Sequence, residues 1–314
     1  MRSTHLALAA LLLAACATLH AEPFAYVANE GSGTLSVIDI ASDAVVAEIP
    51  AGRKPRGTVI SPDGRRAFVS EQSGNQLLVI DLERWQPVAS VPLGESPEGV
   101  GRSPDGRWVA AAVEEGNLVV FVDAQAQRVA FSVPVKGRNP EHAVFSPDGR
   151  LVFVSAENGA AVDVIDVGRR EQVAQVPVGE RPRGIGFSPD GRRAYVASEL
   201  SDQVDVIDTR SLRRVASVKA GVRSNGIAVH PGGHEVYVSN GGAGSVSVID
   251  TASLSVVATV PVGKRPWNMA LSPDGRKLYV ACGRSDSVAV VDTVLREKVR
   301  EIAVGKMPWG VAVR

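Results

Sequence analysis

The side chains best suited to chemistry occupy one position of a repeated segment and differ in type from copy to copy. The seven copies of this position hold Arg56, Glu98, Glu141, Arg183, Asn225, Trp267 and Trp309. Guanidinium and carboxylate groups bind polar ligands or each other, and tryptophan often anchors ligands or partners. The next position holds Gly57, Gly99, His142, Gly184, Gly226, Asn268 and Gly310. His142 beside Glu141 has the chemistry of a proton acceptor or metal ligand, so these two positions form the candidate site.

Each candidate also has a purely structural interpretation. The arginine and glutamate residues can pair between neighbouring repeats without any ligand. Trp267 and Trp309 can fill a channel as packing residues, and His142 can be an ordinary hydrogen-bonded side chain. The sequence leaves both interpretations open for each residue.

Known catalytic and cofactor motifs are missing from the sequence. It contains no Gly-x-Ser-x-Gly elbow, P-loop, Gly-x-Gly-x-x-Gly fingerprint or Cys-x-x-Cys-His haem site. His234-Glu235 begins like a zinc-protease motif but lacks the second histidine, and His230 and His234 are interpreted as surface residues. We therefore predict no catalytic residue set, no metal site and no cofactor.

The elements that position the candidate residues follow from a repeat of 42 to 43 residues. Ser-Pro-Asp-Gly begins at Ser61, Ser103, Ser146, Ser188 and Ser272, and His230-Pro231-Gly232-Gly233 stands in the remaining place. A second marker, an apolar pair followed by aspartate, ends at Asp39, Asp81, Asp123, Asp166, Asp208, Asp250 and Asp292. Agreement between these markers indicates seven copies of one structural unit.

Each repeat has the pattern of four short strands. Alternating runs such as Arg193 to Ala197 and Val204 to Asp208 are separated by turn residues. Four strands per repeat predict an all-β, seven-bladed β-propeller with antiparallel blades. The chain starts within one repeat and stops after Gly310 to Arg314, so the last strand should complete the first blade in a three-plus-one closure. In such a ring the candidate residues surround the mouth of the central channel.

Charge gives a further prediction about that mouth. The whole chain has 34 basic and 34 acidic residues, which argues against a dedicated nucleic-acid binder. Loops that enter the candidate positions carry eleven basic and four acidic residues, whereas the turns after the second strands are acidic. We expect an inner basic ring that attracts a small anionic ligand or an acidic patch on a partner, unless the outer acids neutralise it.

The N-terminus resembles an export signal. Arg2 precedes an apolar run from Leu6 to Ala15, which is too short to span a membrane. We expect residues 1–21 to be a signal peptide that is cleaved after Ala21, and residues 22–314 to be a single propeller domain in the periplasm. The alternative is a lipoprotein signal, 1–15, with an acylated Cys16 and a lipid-anchored protein facing the periplasm. A monomer without a transmembrane segment is expected.

Several segments resemble a known family. Tyr26-Val27-Ala28-Asn29 and Tyr237-Val238-Ser239-Asn240, with the Ser-Pro-Asp-Gly turns, resemble the YVTN family of β-propellers. The tail, Met307-Pro308-Trp309-Gly310, and Lys264-Arg265-Pro266-Trp267 are similar to β-propeller proteins associated with PQQ-dependent catabolism. The resemblance implies an exported protein with a binding or accessory role beside quinoprotein alcohol oxidation, and it implies no catalytic residues.

The leading functional prediction is therefore an exported, non-catalytic binding or scaffold protein that uses the channel mouth. One alternative is a lactonase-like hydrolase that uses His142 and Glu141. The other is single-stranded nucleic-acid binding, with bases stacked on Trp267 and Trp309 over the basic ring.

Overall fold

Seven four-stranded sheets form the fold in the computed structural model, which describes residues 23–314. In chain order the strands are β1 (Phe24–Asn29), β2 (Thr34–Asp39) and β3 (Ala44–Pro50) of blade 1; β4 (Pro55–Ile60), β5 (Arg66–Glu71), β6 (Gln76–Asp81) and β7 (Gln86–Pro92) of blade 2; β8 (Pro97–Arg102), β9 (Trp108–Val113), β10 (Leu118–Asp123) and β11 (Arg128–Pro134) of blade 3; β12 (Pro140–Phe145), β13 (Leu151–Ala156), β14 (Ala161–Asp166) and β15 (Glu171–Pro177) of blade 4; β16 (Pro182–Phe187), β17 (Arg193–Ser198), β18 (Gln203–Asp208) and β19 (Arg213–Lys219) of blade 5; β20 (Ser224–Val229), β21 (Glu235–Asn240), β22 (Ser245–Asp250) and β23 (Ser255–Pro261) of blade 6; β24 (Pro266–Leu271), β25 (Lys277–Cys282), β26 (Ser287–Asp292) and β27 (Glu297–Ala303) of blade 7; and β28 (Pro308–Val313), which returns to blade 1. Single-turn 3-10 helices follow β5 (Gln72–Gly74) and β17 (Glu199–Ser201). The predicted seven-bladed, all-β propeller is confirmed.

The ring closes as the sequence predicts, with three strands from the N-terminal end of the described chain and one from the C-terminal end. β28 pairs antiparallel with β1, and Val27 lies opposite Val311. The inner strand of every blade packs against the inner strand of the next, including β28 against β4. No exposed sheet edge remains at the junction, because each terminal segment covers the other.

The core lies between the blades. Strand residues alternate between the two faces of each sheet, so both faces of a blade are apolar and pack against neighbouring blades. Phe68 and Leu77 of blade 2 form one buried cluster with Val109 and Ala111 of blade 3, and the other blade junctions repeat this arrangement. The rigid ring that results holds the loops at each end of the channel.

The Ser-Pro-Asp-Gly turns form the face opposite the candidate site. In the first copy, Gly64 adopts a φ of 70° and donates its N–H to the Ser61 carbonyl at 2.9 Å, while Asp63 accepts the Arg65 N–H at 3.0 Å. Glycine is favoured there because other residues are strained at positive φ. In the variant copy His230 replaces the first serine and accepts the Gly232 N–H through Nδ1 at 3.0 Å.

The N-terminal predictions lie outside the described residues. These are the signal peptide 1–21, the alternative lipoprotein signal and the acylation of Cys16. Among residues 23–314, no helix is long and apolar enough to cross a bilayer.

Candidate functional site

The candidate residues are positioned by an irregularity at the start of each inner strand. In blade 2 the pairing of β4 with β5 jumps from Pro55 to Thr58, so Arg56 and Gly57 leave the regular ladder. The freed N–H of Gly57 is donated to Ser70 Oγ at 2.9 Å. Blades 3 to 7 and the closing strand carry a register shift at the corresponding place. Because the candidate residue lies outside the regular strand pairing, its side chain reaches the channel mouth.

These side chains meet in a cavity of about 390 Å³, here called the funnel. All seven blades contribute to its lining, which consists of Glu30, Arg56, Gln72, Glu98, Glu114, Glu141, Glu157, Arg181, Arg183, Asn225, Arg265, Trp267, Met307 and Trp309. Seven of the nine residues in the predicted site therefore lie together. His142 and Asn268 are not part of the lining.

Arg56 is the centre of the first ion-pair group. Its guanidinium pairs with Glu98 at 2.5 Å and with Glu30 at 3.2 Å, joining blades 1, 2 and 3. It also lies 5.9 Å from the centroid of the Trp309 ring. Arg56 is therefore fixed by two carboxyl groups and one aromatic face.

A second ion-pair group surrounds Arg183 on blade 5. Its guanidinium is 2.6 Å from Glu141, 3.3 Å from Glu157 and 2.9 Å from Glu199. Arg265 of blade 7 reaches the same Glu199 at 2.9 Å. Glu199 thus binds guanidiniums of blades 5 and 7, and Arg183 also pairs with two glutamates of blade 4. This geometry agrees with the structural interpretation of these residues as inter-blade ion pairs.

The predicted inner basic ring is wrong for the funnel itself. Six glutamates, the five in the funnel lining and the buried Glu199, face four arginines, so carboxyl groups outnumber guanidiniums by two. Glu30, Glu114, Glu157 and Glu199 come from the loops expected to form an outer acidic ring, yet Glu30, Glu157 and Glu199 pair with the guanidiniums and Glu114 lines the funnel. Burial of a charged arginine demands a nearby carboxylate, which explains the inversion.

Burial changes the acidity of the funnel glutamates. Glu98 is 1% exposed, and this loss of solvent, together with the charge of Glu141, raises its pKa to about 8 despite the nearby Arg56. Burial likewise raises the pKa of Glu157. Burial would raise the pKa of Glu199 too, but the charges of Arg183, Arg265 and Arg181 and the hydrogen bond from Arg183 together outweigh it and lower that pKa. The funnel consequently holds a proton on Glu98 at neutral pH.

Trp309 closes the channel beneath the funnel. It is 7% exposed and stacks on His142, with ring centroids 5.5 Å apart and planes 11° from parallel. Since His142 belongs to blade 4 and Trp309 to blade 1, the stacked pair spans the channel. Trp267 is half-buried, with the Arg265 guanidinium 6.0 Å from its ring, and keeps one surface on the funnel.

His142 and Asn268 lie deeper, where five other blades have glycine. Both ring nitrogens of His142 and the amide nitrogen of Asn268 are buried and have no hydrogen-bond partner among the described residues. Burial and the charge of Arg183 lower the pKa of His142 to about 4, so the imidazole is neutral at physiological pH. Within residues 23–314 no group of three histidine, cysteine, aspartate or glutamate side chains is arranged to hold a metal ion.

Seven lining residues are not among the predicted site residues, namely Glu30, Gln72, Glu114, Glu157, Arg181, Arg265 and Met307. The two arginines and three glutamates belong to the charged loops of the sequence analysis, but the repeat does not define the direction of a loop side chain. Gln72 sits in a 3-10 turn and donates to Glu98 at 2.7 Å. Its only signal is a polar residue after a buried strand, which is too common to single it out.

Comparison with known proteins agrees with the fold. The model of a family described as "Lactonase, 7-bladed beta-propeller" matches residues 166–307. No curated protein matches the chain. Hydrazine synthase of Kuenenia stuttgartiensis is similar in structure, with a TM-score of 0.79 and 22% identity over 85% of this chain and 92% of that one. A protein of unknown function from Desulfotomaculum acetoxidans DSM 771 has a TM-score of 0.81 and 19% identity over 92% and 98% of the two chains. At these identities the likeness shows the fold alone.

Proposed function

We propose that the protein is an exported binding protein without catalytic activity, and that its funnel receives a small polar ligand or a side chain of a partner. One observation carries this proposal. A single cavity of about 390 Å³ collects five carboxyl groups, four guanidiniums and two tryptophan rings from six of the seven blades. Concave sites with a few convergent polar groups are where proteins usually bind ligands.

The charge of the funnel favours a cationic ligand over the anion predicted from the sequence. An incoming anion would meet six glutamates, whereas the arginines that could attract it are paired already. Arg56 shows how a ligand cation would be held, because its guanidinium contacts both carboxylates and the Trp309 face. The ligand class is therefore an amine or a guanidinium.

The ion pairs also support a binding role. Charged groups that hold one another in place form a rigid site, which reduces the entropy that binding must overcome. His142 does not line the funnel but stacks on Trp309, which does. The geometry therefore provides recognition groups but no nucleophile with an adjacent histidine base in the described funnel.

Glu114 and Glu115 provide a matched test. Glu114 lines the funnel and forms no ion pair, accepting only from Ser96 at 2.9 Å and Asn139 at 3.0 Å, whereas Glu115 is exposed on the same loop. We expect spermidine or arginine methyl ester to change the tryptophan fluorescence and citrate to have no effect. Glu114→Gln should weaken this binding about threefold to tenfold, and Glu115→Gln should not. Equal binding by citrate, or equal effects of the two variants, would exclude the proposal.

Lactone hydrolysis is a second candidate, favoured by the family match over 166–307 and by the raised pKa of Glu98. A carboxyl group that titrates near neutral pH is suited to proton transfer, and Arg56 beside it could stabilise an oxyanion. In this candidate the proton-transfer group is Glu98 and not His142 or Glu141. Hydrolysis of a lactone panel, with and without divalent ions, should be lost in Glu98→Gln. Absence of hydrolysis in the native protein would remove this candidate.

Export and pathway remain part of the proposal. The N-terminal sequence supports cleavage after Ala21, and mass spectrometry of the mature protein would find Glu22 at its start; an acylated Cys16 would indicate the lipoprotein instead. The similarity of the tail to PQQ-associated propellers supports an accessory role in periplasmic alcohol oxidation. Co-purification with a quinoprotein dehydrogenase would test that role. If no dehydrogenase co-purifies but the protein still binds cations, the pathway is refuted and the binding proposal is unaffected.

A further inference from the structure

The loops around the funnel carry exposed positive charge on one side of the ring. In blades 6, 7, 1 and 2 these loops present six exposed cations, here called the basic arc: Arg53, Lys54, Arg223, Lys264, Arg284 and Lys306. Asp286 is the one exposed acid in these loops. The corresponding loops of blades 3, 4 and 5 expose Glu95, Glu115 and Glu180 against Lys136 and Arg138. The mouth face is thus basic on one side and slightly acidic on the other.

The charges of the basic arc are largely uncompensated, unlike those of the funnel. Arg223 lies 3.7 Å from Glu199, but the other five cations form no ion pair with any described residue. Unpaired, exposed cations of one sign create a field that attracts acidic groups from solution.

The same region has the shape and apolar content of a docking surface. A groove of about 590 Å³ runs beside the Gly241 to Gly244 loop and is lined by three cations, Lys264, Arg265 and Arg284, and one acid, Glu301. Val222 and Met307, on loops of the same arc, are 53% and 42% exposed. Exposed apolar side chains within a charged surface are common at sites of protein association.

We propose that the basic arc docks an acidic segment of a partner protein, with Val222 and Met307 as apolar contacts. This inference rests on the proposed function, because it uses the same face, but it assigns a separate surface outside the funnel. A planar anionic membrane would also meet the acidic side of the face, and a nucleic-acid strand crossing the mouth would meet the funnel carboxylates. A discrete acidic segment can lie on blades 6, 7, 1 and 2 without meeting either.

Two charge-matched variants on this face test the proposal. Lys264→Ser with Lys306→Ser removes two cations from the basic arc, and Lys136→Ser with Arg138→Ser removes two from blade 4. Immobilised protein would be titrated with poly-L-glutamate at low and high salt. We expect binding that weakens with salt, a loss of about fivefold to tenfold for the arc variant, and little change for the blade 4 variant.

Three outcomes would overturn the inference. They are no binding of poly-L-glutamate, equal losses in the two variants, or tighter binding of phosphatidylglycerol vesicles or single-stranded oligothymidylate than of the peptide. Glu114→Gln separates the two proposals, because it should weaken spermidine binding in the funnel and leave poly-L-glutamate binding unchanged. If spermidine binds and poly-L-glutamate does not, the docking proposal is wrong. If poly-L-glutamate binds and spermidine does not, the funnel proposal is wrong.

Discussion

Glu98 shows that the pKa of a carboxyl group at a candidate position depends on its burial and on the charges around it. A glutamate beside Arg56 would ordinarily be ionised, but burial and the charge of Glu141 together raise its pKa to about 8. The consequence is a protonated carboxyl group inside a cluster of carboxylates. This state is invisible in the sequence, because the spacing shows that Glu98 and Glu141 are equivalent but not how deeply either is buried.

The raised pKa of Glu98 predicts how stability depends on pH. The unfolded chain releases this proton near the ordinary pKa of glutamate, and the folded protein keeps it up to about pH 8. The contribution is therefore complete at low pH and is lost as pH rises toward 8. Between about pH 6 and about pH 9 the free energy of unfolding should fall by on the order of 2 kcal/mol from this group.

Urea unfolding of Glu98→Gln measures this contribution. The variant should match the native protein near pH 4 and below, where the Glu98 carboxyl is neutral in the folded chain and largely neutral in the unfolded chain, and lose less stability toward pH 9. Glu83→Gln, at an exposed glutamate paired with Arg65 at 3.4 Å, is the control and should follow the native protein. Parallel curves for the native protein and Glu98→Gln would contradict the assigned pKa.

His142 gives an independent prediction at the same scale. Its imidazole should titrate near pH 4 rather than near the ordinary value, because burial and Arg183 disfavour its charged form. Its contribution to stability is present above the unfolded pKa and is lost as pH falls through about 4. Proton NMR should show one histidine whose chemical shift remains that of a neutral imidazole at pH 5. Its resonance should be missing in His142→Gln. If every histidine titrates near neutrality, the buried position of His142 is incorrect.

The strands were predictable because turn chemistry marks their ends. The run Arg193 to Ala197 corresponds to β17, and Val204 to Asp208 corresponds to β18, each within one residue at the ends. Turn residues such as Gly64 fix the reversals, and alternation fixes the faces. The register shift at Pro55 to Thr58 was not predictable in the same way, since it depends on the Ser70 hydroxyl of the adjacent strand.

The glycine that follows five of the seven candidate residues has a packing role that can be tested. A methyl group on Gly310 would overlap the carbonyl oxygen of Arg56 in the neighbouring blade, so Gly310→Ala must displace backbone near the funnel. We expect a loss of about 2 kcal/mol or more in the free energy of unfolding. Gly168→Ala is the control, because its added methyl group would meet its nearest atom at 3.4 Å. Equal stabilities in chemical denaturation would show that the inner strands can move apart freely.

At the scale of the whole molecule, the number of blades and their closure followed from counting repeats. Seven aspartate markers gave seven blades, and the partial repeats at the two ends of the described chain gave the pairing of β28 with β1. The distribution of charge across the mouth face could not be predicted by counting repeats. It depends on which loop side chains turn inward, and Glu157 and Glu199 do so because they neutralise buried Arg183.

Closure predicts that the last strand is essential for the ring. Deletion of residues 308–314 removes β28 and Trp309, leaving β1 with an unpaired edge. We expect loss of cooperative thermal unfolding in circular dichroism and aggregation in size-exclusion chromatography. Deletion of Arg314 alone keeps β28 and should preserve a cooperative transition. A shortened chain that melts like the native protein would contradict the closure.

Binding at the mouth face is the central claim, and calorimetric titration with spermidine tests it most directly. The native protein, Glu114→Gln and Glu115→Gln should be compared in the same buffer. The account predicts saturable binding that is weakened by the change in the funnel and unaffected by the change on the exposed loop. Absence of binding to the native protein, or equal affinity in the three proteins, would contradict it.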